Sequence, residues 1–182
     1  MRHTGTAKSS MAQLKTRSKL LAVLGASVVV LSGLFWIGAT VWFFGDENPD
    51  RLQDRDWVAQ AEQLCSQART ELARLPQARD ARNLTDRANQ IDAATEVLAQ
   101  MKAALVALAP KGEDGAVLAL WFQTWDSYLA DRQTHSDALR QGEDRQFRVT
   151  ADPQRGDGVD ALLDAFANRN RMASCGDPLD IG

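Results

Sequence analysis

The 25 residues Leu20–Phe44, LLAVLGASVVVLSGLFWIGATVWFF, hold no charged side chain and are bounded by Lys19 on one side and by Asp46, Glu47 and Asp50 on the other. A helix of that length rises roughly 37 Å at about 1.5 Å per residue, enough to cross a hydrocarbon core of about 30 Å with some tilt. A cleaved secretory signal has a shorter apolar region, about 7–15 residues, that ends in a small-residue cleavage site. Here Gly38, Ala39 and Thr40 are followed at once by Val41, Trp42, Phe43 and Phe44, which carry the apolar run past any such site. The run is expected to remain in the chain as a transmembrane helix.

The charges on either side give it a direction. Residues 1–19 contain Arg2, Lys8, Lys15, Arg17 and Lys19 and no acid, whereas from Asp46 onward 16 basic residues face 24 acidic ones, a net charge of −8. Positive flanks stay on the cytoplasmic side of a membrane. Residues 1–19 therefore read as a basic cytoplasmic tail, 20–44 as the span, 45–53 as a linker broken by Pro49, and 54–182 as an extracytoplasmic domain in a single-pass arrangement. Trp36 and Trp42 fall toward the outer interface, a level that indole rings favour. The acidic body excludes nucleic acid as a partner, since phosphates require basic surface. The lipid bilayer is the first partner expected.

Along the span, Gly25, Ser32 and Ala39 recur at intervals of seven, as do Ala26, Gly33 and Thr40, and Ala22 extends the same side. In lipid, helices associate where small side chains let backbones approach. This face is a candidate docking surface for another transmembrane protein or for a second copy of the chain. The plainer alternative is that small residues are common in spans.

Both cysteines, Cys65 and Cys175, fall on the side where disulfides persist, and with only two the pairing is unambiguous. Closing 110 residues into a loop would stabilise the fold by about 4–5 kcal/mol on the chain-entropy account.

In the exterior part, Trp57, Ala61, Leu64, Cys65, Ala68, Leu72 and Leu75 recur at spacings of three and four, the mark of a helix with one buried stripe, and Pro76 ends it. A second helix is predicted from a cap at Thr85 through Ala88, Ile91, Ala94, Leu98, Met101, Leu105 and Leu108 to Pro110 and Gly112. A third starts at Glu113 and Asp114, acids suited to the positive end of a helix dipole, and runs through Leu118, Trp121, Phe122, Trp125, Leu129 and Leu139 to Gly142. Residues 143–156 read as loop with a brief extended alternation at Gln146–Val149, and a fourth helix from Asp157 buries Val159, Leu162, Leu163 and Phe166. The tail from Cys175 reads as coil. The fold class is all-α: a transmembrane helix followed by an up-and-down bundle of about four helices, clasped by one disulfide.

Chemistry is sparse. His135 is the only histidine of the exterior part, with no second ligand at metal spacing, and a lone histidine late in a long helix is expected on the surface. Nucleophile elbows and phosphate-cradling glycine loops are missing. Asp152, Gly156, Asp157, Gly158 and Asp160 lack the ligand alternation and closing Glu of a calcium loop, and turn and cap chemistry accounts for them. Asp160 and Asp164 share a solvated helix face. Arg155-Gly156-Asp157 and the sequon Asn83-Leu84-Thr85 are short enough to arise by chance. No metal, cofactor or catalytic residue is assigned. Trp121, Trp125 and Tyr128 stand at i, i+4 and i+7, a spacing that fits core packing, with a ligand pocket between bundle helices as the alternative.

The arrangement of one N-terminal span, a Cys in the first exterior helix, Trp121-x-x-x-Trp125 in a central helix and the terminal Met172–Gly182, MASCGDPLDIG, resembles uncharacterised actinobacterial membrane-anchored helical proteins. The resemblance covers most of Trp57–Gly182 and implies a bacterial envelope setting without an activity to carry over. The combined expectation is a non-enzymatic membrane-anchored accessory or scaffold subunit that docks on another membrane complex, with a small-molecule-binding helical module as the alternative.

Overall fold

Asp54 opens the first helix of the bundle by accepting a hydrogen bond from the Trp57 amide at 2.9 Å, which satisfies one of the free N–H groups of the first turn. The computed structural model describes residues 49–153 and 156–181, together with Ser32, Phe35 and Trp36. In it, α1 spans Arg55–Leu72, α2 Leu84–Ala107, α3 Glu113–Arg140 and α4 Val159–Asn170. Single 3₁₀ turns occupy Ala78–Asp80 and Ala173–Cys175. Among the described residues the only extended pairing outside these elements is one antiparallel bridge between Ala151 and Gly158. The expected all-helical bundle with its Cys65–Cys175 disulfide is present, the sulfurs 2.06 Å apart.

The apolar stripes account for the packing. α1 buries Trp57, Val58, Ala61, Cys65, Ala68 and Leu72, and α2 buries Ala88, Ile91, Ala94, Leu98, Met101 and Leu105. α2 and α3, joined by a short turn, make the most extensive helix pair of the bundle. α4 contributes Val159, Leu163, Phe166 and Ala167, with Leu162 only half-buried. A smaller cluster of Ala78, Ala88, Ile91, Leu139 and Ile181 closes the end at which α2 begins.

Several boundaries differ from the sequence reading, each for a local reason. The cap of α2 is Asn83, whose side chain accepts from the Asp86 amide at 2.8 Å, so Thr85 already lies inside the first turn. Leu108 follows the last residue of α2 as its cap and stands 49% exposed, outside the core stripe to which its spacing assigned it. The start of α4 is delayed to Val159 because Asp152 and Asp157 first close a turn, Asp152 N–H donating to the Asp157 carbonyl and Gly156 N–H to that of Asp152.

The linker 45–53 is not free at its far end. Leu52 is 1% exposed, and its amide donates to Asn170 Oδ1 at 2.9 Å while Asn170 Nδ2 donates to the Asp50 carbonyl at 2.9 Å. The Gln53 and Asp54 amides donate to the carboxylate of Asp114 at 2.7–3.0 Å. Asp114 thus serves both the dipole of α3 and the entry of the chain into the bundle, and an ion pair of Arg169 with Asp50 reinforces it.

Leu20–Phe44 lies outside the described residues except for Ser32, Phe35 and Trp36, which are helical, the last two with exposed rings set edge to face at 6.1 Å. Among the described residues no helix is long and apolar enough to cross a membrane.

The disulfide joins the middle of α1 to the segment after α4, and both cysteines are fully buried. Cys65→Ala with Cys175→Ala is expected to lower the unfolding free energy of the bundle by about 2–5 kcal/mol. Urea titration followed by tryptophan emission checks it, and an unchanged midpoint would show that packing alone fixes the tail.

Candidate functional site

The aromatic residues of α3 are closed upon one another. Trp121 stacks on Phe166 of α4 with centroids 4.9 Å apart, meets Trp125 edge-on at 6.2 Å, and Trp125 in turn meets Tyr128 edge-on at 5.8 Å. All three residues are at most 3% exposed, and the gap beside Trp125, bordered by Cys65, Ala68, Leu98 and Met101, admits no water. Trp121, Trp125 and Tyr128 are therefore buried in the core, where their ring faces and edges pack against one another and against Phe166. The groove between α1 and α2, lined by Leu64, Gln67, Glu71, Arg74, Val97 and Gln100, is a shallow surface depression open to solvent.

One turn beyond Tyr128 the same face carries a charge. Arg132 is fully buried. Its Nε donates to Thr95 Oγ1 of α2 at 2.9 Å, and Nη1 and Nη2 donate to the two carboxylate oxygens of Asp180 at 2.6 and 2.7 Å. The guanidinium also lies 5.6 Å from the Tyr128 ring centre. Burial works against its charge, but the hydrogen bonds and attraction of Asp180 outweigh that and raise its pKa. Tyr128 OH donates to Asp177 Oδ1 at 2.6 Å. Burial holds its phenol far above the usual range, Arg132 opposing and Asp177 adding to the rise. A bidentate arginine–carboxylate pair, with Nε and Nη1 also bonded to the Thr95 and Tyr128 hydroxyls, is the arrangement in which a buried cation is tolerated.

Asp177 and Asp180 belong to the terminal segment, which is held at several points. Arg69 of α1 donates from Nε to the Ser174 carbonyl at 3.0 Å and from Nη2 to those of Gly176 and Asp177 at 3.1 and 2.8 Å. Glu62 accepts from the Ser174 amide and hydroxyl. Asp164 of α4 accepts from the Asp177 amide at 2.8 Å, which makes it a tail anchor instead of part of a solvated face. A Cβ on Gly176 would lie 2.2 Å from Asp164 Oδ1, so a larger residue there would displace that carboxylate from its bond to the Asp177 amide. Ile181 is buried, and its carbonyl accepts from Arg87 of α2. The tail has the irregular backbone expected of it, yet it is a strap bonded to all four helices.

His135 departs from its expected surface position and is 4% exposed. The segment after α3 folds back so that Phe147 covers it, centroids 5.4 Å apart. Its Nε2 has no hydrogen-bond partner among the described residues. Burial lowers its pKa, Arg87 and Arg145 lower it further, and Asp144 opposes them.

Of the residues singled out from sequence, Cys65 and Cys175 are joined, whereas Ala22, Gly25, Ala26, Gly33, Ala39 and Thr40 lie outside the described residues and Ser32 is helical. The Arg132, Asp177 and Asp180 cluster escaped the sequence reading. Its signal was an arginine four residues after Tyr128 on an otherwise apolar stripe, a position that demands a carboxylate from elsewhere. Among the described residues no three His, Cys, Asp or Glu side chains converge as metal ligands. No protein family, curated protein or solved structure matches this chain.

Asp180→Ala strands the Arg132 charge in the core and is expected to cost about 3–5 kcal/mol, with Arg132→Met added to it restoring part of the loss. Denaturant unfolding of the two variants checks this, and equal or additive losses would contradict the pairing. His135 has a folded pKa below its unfolded value, so the unfolded chain takes up its proton first as pH falls. Stability is therefore expected to decline below about pH 6.5 down to the folded pKa. Unfolding free energies of His135→Gln and the unaltered chain at pH 7 and pH 5 should differ in slope, the variant losing this share of the decline.

Proposed function

We propose that this chain is a non-enzymatic, membrane-anchored protein of the cell envelope, an accessory or scaffold subunit that docks on another membrane complex. Leu20–Phe44 crosses the bilayer with residues 1–19 in the cytoplasm and the bundle outside. The face formed by Ala22, Gly25, Ala26, Ser32, Gly33, Ala39 and Thr40 meets a transmembrane helix of the partner or of a second copy.

The observation that carries this reading is the way the bundle uses its reactive side chains internally. Arg132, Tyr128, Asp177 and Asp180 saturate one another, and Trp121 and Trp125 fill the core. Each of these groups has a structural role, so the apolar run remains the feature whose chemistry calls for an external partner. The buried disulfide agrees with a position outside the cytoplasm, where such bonds persist. A bacterial envelope is the setting that the resemblance of the sequence implies.

Affinity purification from gently solubilised membranes, with a tag on the bundle, tests the proposal. A stoichiometric membrane protein is expected with the unaltered chain and is expected to be lost when Gly25, Ser32 and Gly33 are each replaced by Leu. Recovery of the same partner with the substituted span would remove the docking face from the proposal, and a chain found only in the soluble fraction would remove the anchor.

A further inference from the structure

We propose that one face of α1 is a docking clasp for the terminal strap, seating it whether or not the disulfide has formed, so that Glu62 and Arg69 position Cys175 for bonding to Cys65. Glu62, Cys65 and Arg69 stand at i, i+3 and i+7 of α1 and therefore share a face. They meet the strap in register. Glu62 accepts from the Ser174 amide and hydroxyl, Cys65 meets Cys175, and Arg69 reaches the carbonyls on both sides of that bond, those of Ser174, Gly176 and Asp177. Five hydrogen bonds thus bracket Cys175, three on Ser174 and two on the residues that follow it, and none of them involves a sulfur.

Both charged side chains of the clasp are committed to the strap. Among the described residues, no ion pair includes Glu62 or Arg69. Each is half-buried, so without the strap each would keep a partly desolvated charge with nothing bonded to it. Docking the strap satisfies both, and it requires no oxidation. Farther along, Asp177 and Asp180 reach Tyr128 and Arg132, again without the sulfurs. The disulfide itself stabilises mainly by restricting the unfolded chain, so its contribution adds to that of the clasp and does not replace it.

Closing the bond removes two thiol protons and two electrons, which pass to an oxidising disulfide such as oxidised glutathione and release two molecules of its thiol. A seated strap holds Cys65 and Cys175 as neighbours before that step. The pair then has a high effective concentration, which favours the closed bond over its reduced form. Glu62 and Arg69 are positioning residues in this account and take no part in the electron transfer.

Two measurements on the full chain in mild detergent test the clasp. With Cys65→Ala and Cys175→Ala together, the amides of Ser174 and Asp177, bonded to Glu62 and Asp164, are expected to keep the slow hydrogen exchange they have in the oxidised chain. Exchange at the unfolded rate at both, with α1 still protected, overturns the proposal, because the disulfide then seats the strap. In glutathione redox buffers, Arg69→Gln is expected to lower the effective concentration of the thiol pair by about tenfold or more. Arg69→Lys, which keeps the charge but loses the fork, is expected to recover part of it. Leu105→Val, a buried change at the end of α2 beyond the strap contacts at Arg87 and Thr95, is expected to leave it unchanged. An unaltered value with Arg69→Gln, or an equal fall with Leu105→Val, overturns the proposal. Should Arg69→Gln not fold, the exchange measurement decides alone, since it leaves Glu62 and Arg69 in place.

Discussion

A guanidinium with no exposed surface is the constraint around which this bundle is arranged. Arg132 sits on the apolar face of α3, where an unpaired charge would destabilise the fold severely. Neither α1 nor α4 supplies a carboxylate to it. The compensating groups come from Thr95 on α2 and from Asp180, 48 residues further along the chain. The terminal strap therefore has to return to α3, and the remaining tail contacts follow from that return.

Holding the strap takes more than one bond because each contact fixes a different degree of freedom. The disulfide sets where the strap meets α1, and Arg69 gathers the carbonyls of Ser174, Gly176 and Asp177. Asp164 and Gly176 set its distance from α4, and Ile181 closes the small apolar cluster at the far end. The linker is secured at the opposite end by the same kind of chemistry, a buried Asn170 reaching Leu52 and Asp50. Both irregular segments flanking the bundle are thus part of its structure, with side-chain amides and carboxylates standing in for the hydrogen bonds that a helix would have supplied.

This arrangement bears on what the protein is for. The polar groups beneath the strap, Arg132, Tyr128, Asp177 and Asp180, are bonded to one another, whereas His135 Nε2 has no partner among the described residues. The internal pairing of Arg132, Tyr128, Asp177 and Asp180 suits the accessory or scaffold role proposed above.

Local periodicity was enough to give the helices, since burial every three or four residues reads directly as a stripe, and Trp57 to Leu72 or Ala88 to Leu105 left little choice of face. The spacing of Trp121, Trp125 and Tyr128 fitted core packing but left a ligand pocket open until their burial was seen, and the disulfide followed from there being only two cysteines. What the sequence by itself could not reveal is set by contacts between residues distant along the chain. Arg132 looked like one more charge on a long helix until Asp180 was placed against it. His135 appeared solvent-facing because Phe147, which covers it, belongs to a segment without periodicity. Leu52 and the tail read as coil because a backbone bonded by Asn170, Arg69 and Asp164 carries no repeating pattern. Patterning along one helix records which face is buried; only the tertiary structure decides which irregular segment buries it, because that choice depends on matching individual donors and acceptors across more than a hundred residues of chain.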